Sequence, residues 1–124
     1  MRVLVVDDQP DVLRTLAHLV ASGGYDVDTR LKFDEAKHYI DVTPPDLLVV
    51  DVRLGAYNGL QLALHMRNVR PEAPIVVLSA YDDPMIRKET ERIGARWLSK
   101  PISRKVLLDC LAGGQGSTSP PATP

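Results

Sequence analysis

Apolar residues fall into two kinds of run along this chain. Within Arg2–Val6, Leu47–Val50 and Ile75–Leu78, β-branched and leucine side chains follow one another without polar alternation. Unalternated runs of this length suit strands buried on both faces, as in a parallel sheet covered by helices. Tyr25–Arg30 alternates and reads as an edge strand, and Ala95–Ser99 is a weaker fifth strand. Between these runs the apolar spacing is helical. Val12, Leu13, Leu16, Leu19 and Val20 recur on one face from Asp11 until Gly23 and Gly24 supply a stop. Glu35–Val42 is a shorter helix ended by Pro44 and Pro45, and Leu60–Val69 is a third, with Leu60, Leu64 and Val69 on or near one face. Pro84 suits the first turn of a helix running to Ile93 and stopping at Gly94. Ser103–Leu111 is the last, with Val106, Leu107, Cys110 and Leu111 inward.

The order is five βα units, which predicts an open, doubly wound α/β domain over residues 1–112. Residues 113–124, GGQGSTSPPATP, have no apolar periodicity and read as a flexible tail or linker.

Composition narrows the function classes. A chain of 124 residues with 44% hydrophobic residues can bury a core without disulfides or structural metals. A net charge of −1 gives no electrostatic case for nucleic acid binding. The sequence has no apolar stretch of membrane-spanning length and no secretory signal pattern. Cys110 is the single cysteine, so no intrachain disulfide forms, and the compartment reads as cytoplasmic. His18, His38 and His65 lack metal-ligand spacing and read as surface or boundary residues. No Walker pattern or GxGxxG occurs, which leaves nucleotide binding without support.

The candidate chemistry lies at strand ends. Asp7 and Asp8 follow the first strand, Asp51 the third, Ser79 closes the fourth and Lys100 follows the fifth. Open α/β sheets bind ligands at the carboxyl ends of their strands. If the first and third strands are neighbours, Asp7, Asp8 and Asp51 converge. Three such carboxylates repel unless a cation compensates them, and their hard oxygens suit Mg²⁺ or Mn²⁺. A carboxylate nucleophile, a metal, the Lys100 ammonium and the Ser79 hydroxyl form a coherent phosphoryl-transfer site.

The segments VLVVDD, LLVVDVRLGAYNG, VVLSA and SKP resemble the receiver domain of two-component response regulators, over roughly residues 2–112. The resemblance implies a flavodoxin-like (βα)5 fold with a five-stranded parallel sheet in the order 2-1-3-4-5. It implies Asp51 as phosphoacceptor, Asp8 and Asp51 as Mg²⁺ ligands with the Arg53 carbonyl, and Asp7 acting through a metal-bound water. Ser79 would be the switch hydroxyl, Trp97 the switch aromatic, Lys100 the phosphoryl partner, and Lys100–Pro101 a cis bond. A sensor histidine kinase, or acetyl phosphate, would be the donor. The fourth helix, fifth strand and fifth helix would carry the signal to a downstream effector, with homodimerisation on phosphorylation as an option. Such a domain catalyses its own phosphorylation and dephosphorylation rather than turning over a substrate.

Four positions depart from the family pattern. Gly55 stands where many receivers carry proline, and Trp97 is larger than the usual Tyr or Phe. Arg96 replaces the acidic residue common in receivers that dimerise beside winged-helix domains. Arg53 places a side chain near the phosphoryl site, where it could pair with Asp8 or shield the acyl phosphate from water, and Arg53 and Tyr81 together are expected to set the lifetime of the phosphorylated state. Two other functions compete. A pseudo-receiver would use the fold as a constitutive protein-binding module and would not need Asp51, Ser79 and Lys100. A phosphohydrolase commonly needs a second Asp two residues after the nucleophile, where this chain has Arg53.

Overall fold

The computed structural model describes residues 1–55 and 57–112. Five strands form one parallel sheet: β1 (Arg2–Val6), β2 (Asp26–Arg30), β3 (Leu47–Asp51), β6 (Ile75–Ser79) and β7 (Arg96–Ser99). Their order is β2-β1-β3-β6-β7, which is 2-1-3-4-5 counted over these five. The two remaining strands, β4 (Arg53–Leu54) and β5 (Tyr57–Asn58), are a two-residue antiparallel ladder in the loop after Asp51. That ladder is too short to leave a periodic signal in the sequence.

The unalternated runs are the central strands. In β3 and β6 every residue is buried, because helices cover both sheet faces. Leu4, Val6, Leu48, Val50, Ile75 and Val77 face α2 (Phe33–Val42) and α3 (Gly59–Val69). Val3, Val5, Leu47, Val49, Val76 and Leu78 face α1 (Pro10–Ala21) and α5 (Arg104–Ala112). Each fully buried side chain of this size contributes about 1.5–3 kcal/mol. α4 (Pro84–Arg92) is different: Thr90 is its one buried residue, and its hydroxyl donates back to the Ile86 carbonyl at 2.7 Å. Arg67 of α3 ties down the C-terminal side of α4, donating to the Ile93 carbonyl at 2.9 Å and the Gly94 carbonyl at 3.0 Å.

Two helix faces differ from the periodic reading. α3 buries Gly59, Leu62, Ala63 and Met66, while Leu64 and Val69 are exposed and Leu60 is only partly buried. The leucines at 60, 62 and 64 alternate, and the i, i+4 pair Leu60 and Leu64 lies about 130° around the helix from the face that meets the sheet. In α5, Leu107 and Leu111 are buried, Cys110 is half-buried and Val106 faces solvent. Helix starts also move: Phe33 and Gly59 begin α2 and α3, and Asn58 caps α3 by accepting from the Leu60 amide at 2.8 Å. The segment 113–124, expected to be a tail, lies outside the described residues. No described helix is long and apolar enough to cross a membrane.

Candidate functional site

The strand order makes β1 and β3 neighbours, in register from Val3–Leu47 to Val6–Val50. The next residue on each chain is therefore Asp7 and Asp51. Both are buried, at 0% and 6% exposure, while Asp8 faces solvent. One carboxylate oxygen from each of the three lies within 4.8 Å of the others. Ser79 ends β6 beside this group, and Lys100 follows β7, which pairs Ser79 with Ser99.

Each acidic side chain is held in place. Asp7 accepts from the Gln9 amide at 2.9 Å on one oxygen and from Lys100 Nζ at 2.9 Å on the other. Asp51 Oδ1 lies 2.9 Å from Lys100 Nζ, and its Oδ2 accepts from the Arg53 amide at 3.0 Å. Asp8 accepts from the Gly55 amide at 2.9 Å. That bond depends on a backbone turned to φ +61° at Gly55, a conformation side chains disfavour. Gly59 supplies a closer constraint. A Cβ there would sit 2.0 Å from the Asp51 carbonyl oxygen, so the start of α3 can approach the end of β3 only as glycine.

Burial raises the Asp51 pKa above the ordinary carboxylate value, and the Asp7 charge pushes the same way against the pull of Lys100. Burial alone would lower Lys100, but its bonds to Asp51 and Asp7 outweigh it and raise the ammonium pKa. Three carboxylates against one ammonium leave the site with excess negative charge. The donors are hard oxygens, and the Asp8 carboxylate is open to solvent, so the residues fit a small divalent cation that keeps some of its waters. Arg53 could add its carbonyl from the same loop.

The remaining candidates sit around this centre. The Ser79 hydroxyl donates to the Tyr81 carbonyl at 2.7 Å. The Arg53 guanidinium lies 5.3 Å from the Tyr81 ring centre, and no ion pair joins it to Asp8 among the described residues. Trp97, on β7, carries the Arg87 guanidinium of α4 at 4.6 Å over its ring. Its Nε1–H is buried with no hydrogen-bond partner among the described residues. The Lys100–Pro101 bond is cis. The histidines lie apart from the site; His65 bonds Asp41 at 2.6 Å on the α2–α3 side. Gly59 and the Gly55 amide are the two site elements that strand-end reasoning passes over. The pair Asn58–Gly59 signals only a turn or helix start.

Comparison with known proteins agrees with this geometry. A family model described as the response regulator receiver domain matches residues 3–112. The photosynthetic apparatus regulatory protein RegA of Cereibacter sphaeroides is 35% identical, over 98% of this chain and 67% of the relative. Among solved structures, Vibrio cholerae chemotaxis protein CheY4 matches with TM-score 0.82 and 27% identity, covering 91% of this chain and 97% of that one. A response regulator protein from Burkholderia pseudomallei, described with a phosphorylated aspartic acid and a calcium ion, matches with TM-score 0.82 and 30% identity over 89% of this chain and 65% of that one.

Proposed function

The chain belongs to the response regulator receiver domains, and from that premise we propose that it is a phosphorylation-activated switch with Asp51 as its phosphoacceptor. The observation that carries the reading is the Asp51 carboxylate itself. It is buried at a strand end, held by Lys100 on one oxygen, with an oxygen within 4.8 Å of one from Asp7 and one from Asp8.

Asp7, Asp8 and Asp51, with the Arg53 carbonyl, would hold Mg²⁺ or Mn²⁺. Such an ion supplies charge neutralisation for the phosphoryl oxygens. The chain's own residues do the rest. A carboxylate oxygen of Asp51 forms a bond to phosphorus while the bond from phosphorus to the donor breaks, and the electron pair leaves with the donor. The donor is a histidine of a sensor kinase, or acetyl phosphate. Lys100 is already beside Asp51 Oδ1 and pairs with the incoming negative charge. Ser79 turns its hydroxyl from the Tyr81 carbonyl toward a phosphoryl oxygen. Trp97 follows, and the surface formed by α4, β7 and α5 changes its affinity for an effector. This is a population shift driven by one new charged group. A cytoplasmic setting fits this reading.

Intact mass after incubation with Mg²⁺ and acetyl phosphate tests it. The wild type should gain about 80 Da, one phosphoryl group, and Asp51→Ala should gain none. No adduct, together with no response of Trp97 fluorescence to beryllium fluoride and Mg²⁺, would overturn it in favour of a non-phosphorylated binding module.

A further inference from the structure

Tyr81 is engaged twice. Its ring lies against the Arg53 guanidinium, 5.3 Å from the ring centre. Its backbone holds Ser79 from both sides: the Ser79 hydroxyl donates to the Tyr81 carbonyl at 2.7 Å, and the Tyr81 amide donates to Ser79 Oγ at 3.2 Å. A serine hydroxyl has a single proton, and here it is committed to the loop after β6. Arg53 stands two residues after Asp51, and Tyr81 two after Ser79. The stack therefore joins the loop after β3 to the loop after β6. It is not core packing, since Arg53 is exposed and Tyr81 is 63% exposed. No carboxylate pairs with the Arg53 guanidinium among the described residues, and the Tyr81 ring lies against it instead.

We propose that the Arg53–Tyr81 stack is a latch that holds Ser79 in its resting hydrogen bond. The inference rests on the reading of Asp51 as acceptor and Ser79 as the hydroxyl that turns toward it. For Ser79 to donate to an anion on Asp51, it must leave the Tyr81 carbonyl. The Tyr81 segment then loses both of its bonds to Ser79 and shifts. The stack stabilises only the arrangement before that shift. An interaction made in one of two states reduces apparent affinity for the ligand of the other by its own equilibrium factor. For an exposed cation–π contact that factor is about two- to fivefold. Arg53 is thus a positioning residue that acts on Ser79 through Tyr81.

The test uses the full chain in two measurements. In the unphosphorylated protein, amide exchange at Tyr81 should quicken by about two- to fivefold in Arg53→Ala. Exchange at Lys100, whose amide donates to the Ser79 carbonyl at 2.8 Å, should not change. Titration with beryllium fluoride in Mg²⁺ should show Arg53→Ala and Tyr81→Ala each binding tighter by the same factor. The double variant should gain no more than either single one, and Tyr81→Phe, which keeps the ring, should behave as wild type. An unchanged Tyr81 exchange rate overturns the latch. So does weaker binding in Arg53→Ala beside unchanged binding in Tyr81→Ala, since Arg53 would then hold the anion directly. A wild type that binds no beryllium fluoride counts against the phosphoacceptor reading, and the exchange measurement still decides the latch.

Discussion

Lys100 stands between Asp7 and Asp51, with its ammonium 2.9 Å from an oxygen of each. This cation separates two buried carboxylates. Lys100→Met keeps most of the side-chain volume but leaves those carboxylates facing each other. Breaking a buried pair in this way costs about 3–5 kcal/mol, and the partial exposure of Lys100 places the loss at the lower end. Urea unfolding in EDTA should register it. Millimolar Mg²⁺ should restore part of the stability, because the ion binds only the folded arrangement of carboxylates. The phosphoryl adduct should still fail to accumulate at the wild-type rate.

A second polar network lies away from the site and contributes to the pH dependence of stability. The Tyr39 hydroxyl of α2 donates to Asp28 of β2, and Arg2 donates to the same carboxylate oxygen at 2.8 Å. The Tyr39 bond first, and Arg2 after it, hold the Asp28 pKa below the ordinary carboxylate value. A lowered folded pKa means stability that is complete above the unfolded carboxylate pKa. It is lost as pH falls through the folded one. Burial, followed by Asp28, raises the Tyr39 phenol. Its contribution is complete below the unfolded phenol pKa and is lost as pH rises through the folded one. Tyr39→Phe should therefore flatten both ends of the stability–pH curve. At neutral pH it should cost about 1 kcal/mol, reduced from the full value of a charged hydrogen bond because Asp28 is partly exposed. Thermal melts from acid to alkaline pH measure this directly.

Gly59 joins the fold to the site. Its missing side chain lets α3 start against the Asp51 carbonyl oxygen, 2.0 Å from where a Cβ would be. Backbone lies on both sides of that contact, so Gly59→Ala must displace either the helix or the end of β3. The expected loss is about 3 kcal/mol, at the upper end of overpacking costs. Phosphoryl uptake at Asp51 should fall by more than the lost folded fraction explains. Intact mass and denaturant unfolding on the same sample separate the two effects.

The site was easier to read in the sequence than the packing around it. Asp7, Asp8, Asp51, Ser79 and Lys100 each end an apolar run, and a parallel sheet places all its strand ends on one edge. No side-chain geometry was needed to bring them together. The inward face of α3 was not legible in the same way. Leu60, Leu62 and Leu64 offer two competing stripes, and only the sheet selects Leu62 with Ala63 and Met66. Val106 was misplaced for a similar reason: α5 buries one narrow stripe, Leu107 and Leu111, and leaves its neighbour in solvent. The Arg53–Tyr81 stack joins residues 28 positions apart in two loops, and local pattern gives no sign of their contact. Of the two roles read for the Arg53 side chain, pairing with Asp8 is not made: Asp8 accepts from the Gly55 amide, and the guanidinium lies against the ring.

Trp97 links the sheet to α4, and its environment is internally opposed. The Arg87 guanidinium over its ring favours the present arrangement, while the buried Nε1–H has no partner among the described residues and disfavours it. An unpaired buried donor costs about 1–3 kcal/mol, whereas a cation–π contact at an exposed site returns about 0.5–1 kcal/mol. Trp97→Phe removes the donor, keeps an aromatic face for Arg87 and loses ring volume. The losses and gains nearly cancel, so stability should change by less than about 1.5 kcal/mol. Arg87→Ala removes the ring contact together with an exposed, 3.5 Å ion pair to Asp82 that adds little, and should destabilise by about 0.5–1 kcal/mol. It should also free the indole to move, since Thr90 is the one buried residue of α4 and the Arg67 bonds hold only its C-terminal side. In the unphosphorylated protein, Trp97 fluorescence should become more accessible to acrylamide in Arg87→Ala than in wild type. Equal quenching in the two proteins would mean that β7 alone fixes the indole and that α4 can shift without moving it.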